Sequence, residues 1–400
     1  MDPSLPPADG TSPFTAACDH IKLLILQSVR NTHHNYLLTK EKMRLELVSR
    51  KFRALIRHRA AWKYDDILTI WLESPNRTPA VWVNGVRFGS NQYHRLIDCL
   101  NILLDRITVR KLLLSASLLS RDDLVPDPAL DLSSVIFAHR ETVKVDSLCV
   151  WAWSNISKYC ATILQTFFAC TDWKVMKSIF VDSSLDHQSA ASFFAMLPGC
   201  VNLENLELRI QAPQTLPIST YCRGGLQSCL TLRSLTFTYS YLSLRQAEQL
   251  ALWLNTRPPL QQLSLNVGQT YQILIGALCP DFTAALTSLE VRTDTHSLTN
   301  RQFLVQLLHK FPALCRLSIV DGLLPFSATS VWNFMQHFAQ VNASLTREQD
   351  TIVELRVLFP DMSAFNQMGD MTNNQLWLDE DNVSWVMQKD RIRFQLTNVA

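Results

Sequence analysis

A short apolar phrase, Leu-x-x-Leu-x-Leu, returns about every 26 to 29 residues through the middle of this 400-residue chain. It stands as Leu203/Leu206/Leu208, Leu232/Leu235/Phe237, Leu260/Leu263/Leu265, Leu286/Leu289/Val291, Leu314/Leu317/Ile319 and, after a longer gap, Ile352/Leu355/Val357. Strand side chains alternate between faces, so the second and third residues of each phrase point the same way and the first closes the turn leading in. One such unit cannot bury its apolar face alone, whereas stacked neighbours can. A fixed period of this length therefore predicts an array of strands, each followed by a return element.

Helical patterns sit where the returns are expected, at residues 243 to 254 (SLRQAEQLALWL), 300 to 308 (NRQFLVQLL) and 327 to 341 (SATSVWNFMQHFAQV). Ser243 and Asn300 are the predicted N-caps. Pro198, Pro258 and Pro312 each fall a few residues before the next strand, where a residue without an amide donor stops a helix. Looser phrases extend the array upstream: Val109/Leu112/Leu114, Val145/Leu148/Val150 and Met176/Ile179/Val181.

The phrase and its period resemble the leucine-rich repeat. The resemblance implies an α/β, irregular solenoid of about nine turns, with parallel strands and helical returns. The Asn that usually follows the family's strand is not repeated, and Gln211, Asn266 and Asp294 stand scattered in its place. An ordinary α/β domain with Leu-rich strands is the alternative. Hairpins are predicted at both ends. One pairs residues 67 to 71 with 81 to 86 and has Asn84-Gly85, a hairpin dipeptide, near its end. The other pairs 383 to 387 with 392 to 396.

Hydrophobic residues make up 47% of the chain and charged ones 18%, enough apolar material for a continuous core. The ten cysteines include no Cys-x-x-Cys pair and read as reduced core thiols, with Cys222 and Cys229, around Gly224-Gly225, the one pair whose spacing suggests a meeting. No secretory signal opens the chain and no run approaches the roughly 18 apolar residues of a spanning helix. Cytoplasmic or nuclear placement and no membrane partner are therefore expected, and the sequons at Asn155, Asn342 and Asn382 carry no weight.

Residues 1 to 17 are Pro-rich and polar and read as a flexible leader. Residues 18 to 62 hold short amphipathic helical patterns in which Leu45, Val48, Phe52, Leu55 and Ile56 form one apolar stripe. Helices this short must pack on something else. The first apolar stretch, the run Leu45-x-Leu47-Val48-Ser49-Arg50-Lys51-Phe52-Arg53-Ala54-Leu55-Ile56 and the downstream Trp62 resemble the F-box, and the phrase from Phe52 to Trp62 is similar to nematode-type F-box proteins. The family's Leu-Pro-x-Glu opening is replaced by Asp19-His20-Ile21-Lys22. The resemblance implies docking on a Skp-type adaptor of a cullin ubiquitin ligase through Leu24, Leu45, Val48, Phe52 and Leu55, with Lys51 and Arg53 at the rim. On this division residues 63 to 100 are a linker and hairpin cap, and 101 to 400 the repeats with their closing hairpin.

From Lys40 to Lys63 nine Lys or Arg stand against two Glu, while the whole chain carries a net charge of only +2. Such a run attracts phosphates or anionic surfaces. The aromatic platforms of nucleic-acid modules are not interleaved with it, so a basic solvated helix face is the expectation and nucleic acid is not an expected partner.

Phosphate-loop, dinucleotide, nucleophile-elbow and zinc-protease motifs are missing from the sequence. No enzyme activity, cofactor or metal is expected. The predicted role is a non-catalytic substrate-recognition subunit of a cullin ligase, the alternative being a repeat scaffold whose N-terminal helices only cap the solenoid. The target is unnamed by the sequence. Its contacts are expected at the variable positions Glu207, Thr236, Ser264, Glu290, Ser318 and Arg356.

Overall fold

The computed structural model describes residues 67–73, 80–84, 86–89, 92–117, 128–152, 173–184, 187–211, 217–239, 242–267, 270–292, 301–321, 327–345, 350–357, 377–378, 384–389 and 392–398. The chain divides into two compact units, Met1–Met176 and Lys177–Ala400. The second unit is built on mostly parallel strands and the first on parallel and antiparallel ones in equal part, both with helices between strands, an α/β, solenoid-like arrangement.

The first unit contains β1 (Ile67–Glu73), β2 (Ala80–Val83), β3 (Val86–Gly89), α1 (Tyr93–Leu104), β4 (Val109–Ser117), α2 (Pro128–Ala138) and β5 (Val143–Ala152). Its strands lie in the order β3-β2-β1-β4-β5. The β1–β4 and β4–β5 junctions are parallel, and β2 and β3 add antiparallel. Leu68, Leu112 and Leu148 align in one row and Ile70, Leu114 and Val150 in the next, all buried on the side of the helices. The looser upstream phrases are thus true rungs, and β1 adds one that the phrase search did not reach. His139, just after α2, ties the two helices together: its Nε2 lies 2.9 Å from Asn101 Oδ1 on α1.

The expected strand 81 to 86 needs correction. Val83 pairs with Val86, leaving two residues between them, so the turn falls inside that stretch and produces the extra strand β3. Asn84 takes φ 45°, the left-handed region that a primed hairpin turn demands and Asn tolerates.

The second unit continues with β6 (Ser178–Ser184), α3 (His187–Met196), β7 (Asn205–Gln211), α4 (Ile218–Gly225), β8 (Ser234–Tyr239), α5 (Leu244–Asn255), β9 (Gln262–Asn266), α6 (Tyr271–Ala277), α7 (Pro280–Ala284) and β10 (Ser288–Arg292). It ends with α8 (Arg301–Lys310), β11 (Arg316–Asp321), α9 (Ala328–Ser344), β12 (Thr351–Val357), β13 (Trp377–Leu378), β14 (Ser384–Lys389) and β15 (Ile392–Asn398). From β6 to β12 every strand pairs in parallel with the next in sequence. The register threads two apolar ladders through the sheet. One is Ile179, Leu206, Leu235, Leu263, Leu289, Leu317, Val353 and Phe394, and the other Val181, Leu208, Phe237, Leu265, Val291, Ile319, Leu355 and Leu396. Every rung is at most 3% exposed.

The last rung corrects the sequence reading. In β12 the inward residues are Val353 and Leu355, and Ile352 pairs with Arg316 on the other face, so the expected phrase Ile352/Leu355/Val357 is set in the wrong frame. The closing hairpin forms, and it does more than cap. Its second strand β15 runs parallel to β12 and carries Phe394 and Leu396 into the two ladders, while β14 and β13 add antiparallel beyond it.

The main chain ties neighbouring turns together where the strands begin. At the entrances to β7 through β11 a single carbonyl accepts two amides from the next turn: Lys177 from Glu204 and Asn205, Glu204 from Arg233 and Ser234, Arg233 from Gln261 and Gln262, Gln261 from Thr287 and Ser288, and Thr287 from Cys315 and Arg316, all at 2.8 to 3.0 Å. These paired bonds fix neighbouring turns in register and satisfy groups that would otherwise be left orphaned.

The helices stack in chain order, with Phe194 of α3 on Tyr221 of α4 at 5.7 Å between rings and Phe338 of α9 edge-on to Phe394 of β15 at 5.7 Å. Ser243 caps α5 through a capping box, accepting from Gln246 N at 3.3 Å while its own amide donates to Gln246 Oε1 at 3.0 Å. Ser327 caps α9 in the same sense, accepting from Ser330 N at 3.2 Å. The predicted cap Asn300 lies outside the described residues. Cys222 and Cys229 are both free and buried, and Gly224-Gly225 ends α4. No helix among the described residues is long and apolar enough to cross a membrane.

Candidate interaction surface

Strand alternation sends the residues between the ladder positions to the opposite face of the second unit's sheet. Register then fixes their order: Phe180, Glu207, Thr236, Ser264, Glu290, Ser318, Glu354 and Gln395 form one row across the strands. Five of the six expected target contacts therefore stand side by side, from Glu207 to Ser318, over about 19 Å at the usual strand spacing. The sixth, Arg356, falls one row along, because of the frame error in the last phrase. Glu354 holds the place assigned to it.

A second row, Asp182, Arg209, Thr238, Asn266, Arg292, Val320, Arg356 and Thr397, runs beside the first. Charges in the two rows pair along the strands. Arg209 Nη2 lies 2.7 Å from Glu207 Oε1, Arg292 Nε 3.7 Å from Glu290 Oε1, and Arg356 Nη2 3.4 Å from Glu354 Oε2. Arg316 adds a cross-strand contact to Glu354 at 3.5 Å, and Arg209 reaches Asp182 at 3.8 Å. Ser264 Oγ donates to Glu290 Oε1 at 3.2 Å. Ser318, 3% exposed, sits under its neighbours with a hydroxyl that finds no partner.

The face thus carries both signs of charge side by side. Asp182, Glu207, Glu290 and Glu354 stand among Arg209, Arg292, Arg316, Arg356 and Arg393. The arginines are the outer layer, at 43 to 54% exposure, over glutamates at 19 to 32%. Pairs this exposed contribute about 0 to 1 kcal/mol each. A partner can exchange them for its own carboxylates or carbonyls at small cost, and the mixed signs weaken long-range steering. The sequence reading named two of these glutamates and one arginine but missed Glu354, Arg209, Arg292 and Arg316. The signal was present as a recurring apolar-Glu-apolar-Arg string at residues 206 to 209, 289 to 292 and 353 to 356.

Burial pushes Cys99 up to about 11, Cys200 and Cys222 to about 12 and Cys229 to about 11, so these thiols stay protonated and inert. Arg257 is held down to about 10 by burial, its Nη2 donating to the Cys229 carbonyl at 3.1 Å and its guanidinium lying over the Trp253 ring at 5.2 Å. No group of three or more His, Cys, Asp or Glu side chains converges to hold a metal ion among the described residues. Leu24, Leu45, Val48, Lys51, Phe52, Arg53 and Leu55, the expected adaptor contacts, lie outside those residues. No protein-family model matches the chain, and no curated protein matches it.

Proposed function

We propose that this chain is a non-catalytic recognition subunit of a cullin-type ubiquitin ligase. Its F-box-like segment, residues 18 to 62, docks on a Skp-type adaptor, and a leucine-rich-repeat solenoid holds the target protein. The observation that carries the recognition half is the register from β6 to β12 and on to β15, which sets one continuous polar row on a rigid apolar base. A surface of this kind positions a bound protein without acting on it, and ligation then follows from proximity to an enzyme held elsewhere in the assembly. The docking half is supported by the Leu45 to Ile56 run alone. In the second reading the repeats are a binding scaffold without a ligase, a role the same polar row serves equally well.

Val48→Asp combined with Leu55→Asp separates the two. The ligase reading expects adaptor co-purification to be lost while the thermal transition of the repeats is kept. Unchanged co-purification rejects docking through that stripe.

A further inference from the structure

The first unit turns a different face to solvent. Directly paired residues share a face, so the register places Arg87, Trp82, Trp71, Ser115 and Trp151 in a single row across β3, β2, β1, β4 and β5. Trp71 and Trp151 are 41 and 46% exposed, large values for side chains whose burial is worth so much. Trp71 and Trp82 stack, with ring centroids 5.9 Å apart and planes 27° apart, giving one broad indole surface. Trp151 stands two strands from Trp71, about 10 Å away along the backbone, with only the small Ser115 between them. Side chains on a strand stand roughly upright. The Trp71–Trp82 surface offers one stacking platform, and Trp151 stands in the same row beyond Ser115.

We propose that this face binds single-stranded nucleic acid, with bases stacked on Trp71, Trp82 and Trp151 and phosphates met by Arg87 and Lys111. Charge selects this occupant over others that stack on indoles. No residue of the row is a carboxylate, Arg87 is exposed at its end, Lys111, exposed on the same face of β4, lies two rows to one side, and Glu73 stands one row to the other. The unit as a whole carries 22 Lys or Arg against 17 Asp or Glu, a net of +5, whereas the second unit carries 15 against 18. The basic run from Lys40 to Lys63 ends four residues before Ile67 of β1. Stacking platforms beside cations are the combination that holds a strand without reading its sequence. Sugars and proline-rich peptides also stack on indoles but lack the repeating negative charge that would match these cations. The inference goes beyond the ligase reading and stands without it.

The test uses the full chain and a fluorescein-labelled oligo-thymidylate of about 12 nucleotides. Anisotropy should report binding that weakens steeply between about 50 and about 200 mM salt, with quenching of tryptophan emission and no competition from a DNA duplex of the same length. Trp71→Ala and Trp151→Ala should each weaken binding about tenfold. Trp71→Phe, which keeps a ring, should retain most of it and guards against a folding artefact. Arg87→Ala should flatten the salt dependence by about one counterion. No binding at low salt overturns the proposal. So does binding that the Trp71→Ala, Trp151→Ala double variant leaves intact, which would place the phosphates on the basic run alone. Quenching by an oligosaccharide or a proline-rich peptide but not by the oligonucleotide overturns it as well.

Discussion

Thr69 and Asn84 hold each other across the first hairpin. The Asn84 amide donates to the Thr69 carbonyl at 3.0 Å, and the Thr69 amide donates to the Asn84 side-chain Oδ1 at 2.7 Å. The other side-chain atom, Nδ2, donates to the Ile67 carbonyl at 3.1 Å. One side chain thus completes the hydrogen bonding of β1 where β2 has ended, and it does so from a backbone conformation with positive φ.

Asn84→Ala removes two of these bonds and leaves a β-carbon in the left-handed region, so it should cost about 3 kcal/mol. Asn84→Gly relieves the backbone but not the lost bonds and should cost about half as much. Urea midpoints followed by circular dichroism give both values, and equal costs would remove the backbone from the explanation.

The frame of β12 is tested by neighbouring residues. Val353 is fully buried between Leu317 and Phe394, whereas Ile352 lies between Arg316 and Arg393 on the polar face. Val353→Asp should prevent folding of the second unit or cost more than about 3 kcal/mol, since it buries an unpaired charge. Ile352→Asp, placed between two arginines, should stay within about 0.5 kcal/mol of the parent. The reverse order would restore the frame read from the sequence.

That error shows where the sequence was legible and where it was not. The first-position leucines Leu203, Leu232, Leu260, Leu286 and Leu314 are all buried, and each anchors the two ladder positions that follow. Period and frame could therefore be read together through five turns. Before β12 the anchor position is occupied by the exposed Asp350, and Ile352, three residues before Leu355 but on the opposite face, mimics the anchor. The outer row was found because it is locked to the ladder. Its charge pairing was missed because each Glu and Arg was read singly, although they meet two residues apart on one strand. The tryptophan row was invisible for another reason. Trp71, Trp82 and Trp151 come together only through the register of four strands, and no local window contains all three.

Gly224 and Gly225 make an internal control. A Cβ at Gly225 would stand 2.6 Å from the Phe194 carbonyl oxygen and 3.1 Å from the Phe194 side chain, so α4 would have to lift from α3. At Gly224 nothing lies within 4 Å. Gly225→Ala should therefore destabilise by about 2 kcal/mol. Gly224→Ala should be neutral or stabilise by up to about 1 kcal/mol through helix propensity. Thermal melts of the two variants distinguish close packing from a general need for glycine at the helix end.

The buried thiols set a pH limit. In the unfolded chain they ionise near the ordinary value of 9.0, while burial raises Cys222 to about 12 and Cys229 to about 11, the latter offset slightly by Arg257. Between these values the unfolded chain gives up protons that the folded chain keeps. Stability should therefore be flat in this respect below pH 9 and fall as pH rises toward 11 and beyond. Urea midpoints measured across that range should drop, and Cys222→Ala should make the drop shallower. At neutral pH a thiol reagent should leave Cys200, Cys222 and Cys229 unlabelled until the chain is unfolded.

The most direct measurement is the mass of the complex formed when the full chain is co-expressed with a Skp-type adaptor, read by size-exclusion chromatography with light scattering. A recognition subunit should elute as one chain with one adaptor, and the Val48→Asp, Leu55→Asp variant should elute alone with its melting transition unchanged. A full-length chain that runs as a well-behaved monomer beside free adaptor would contradict the ligase reading and leave the solenoid as a binding scaffold.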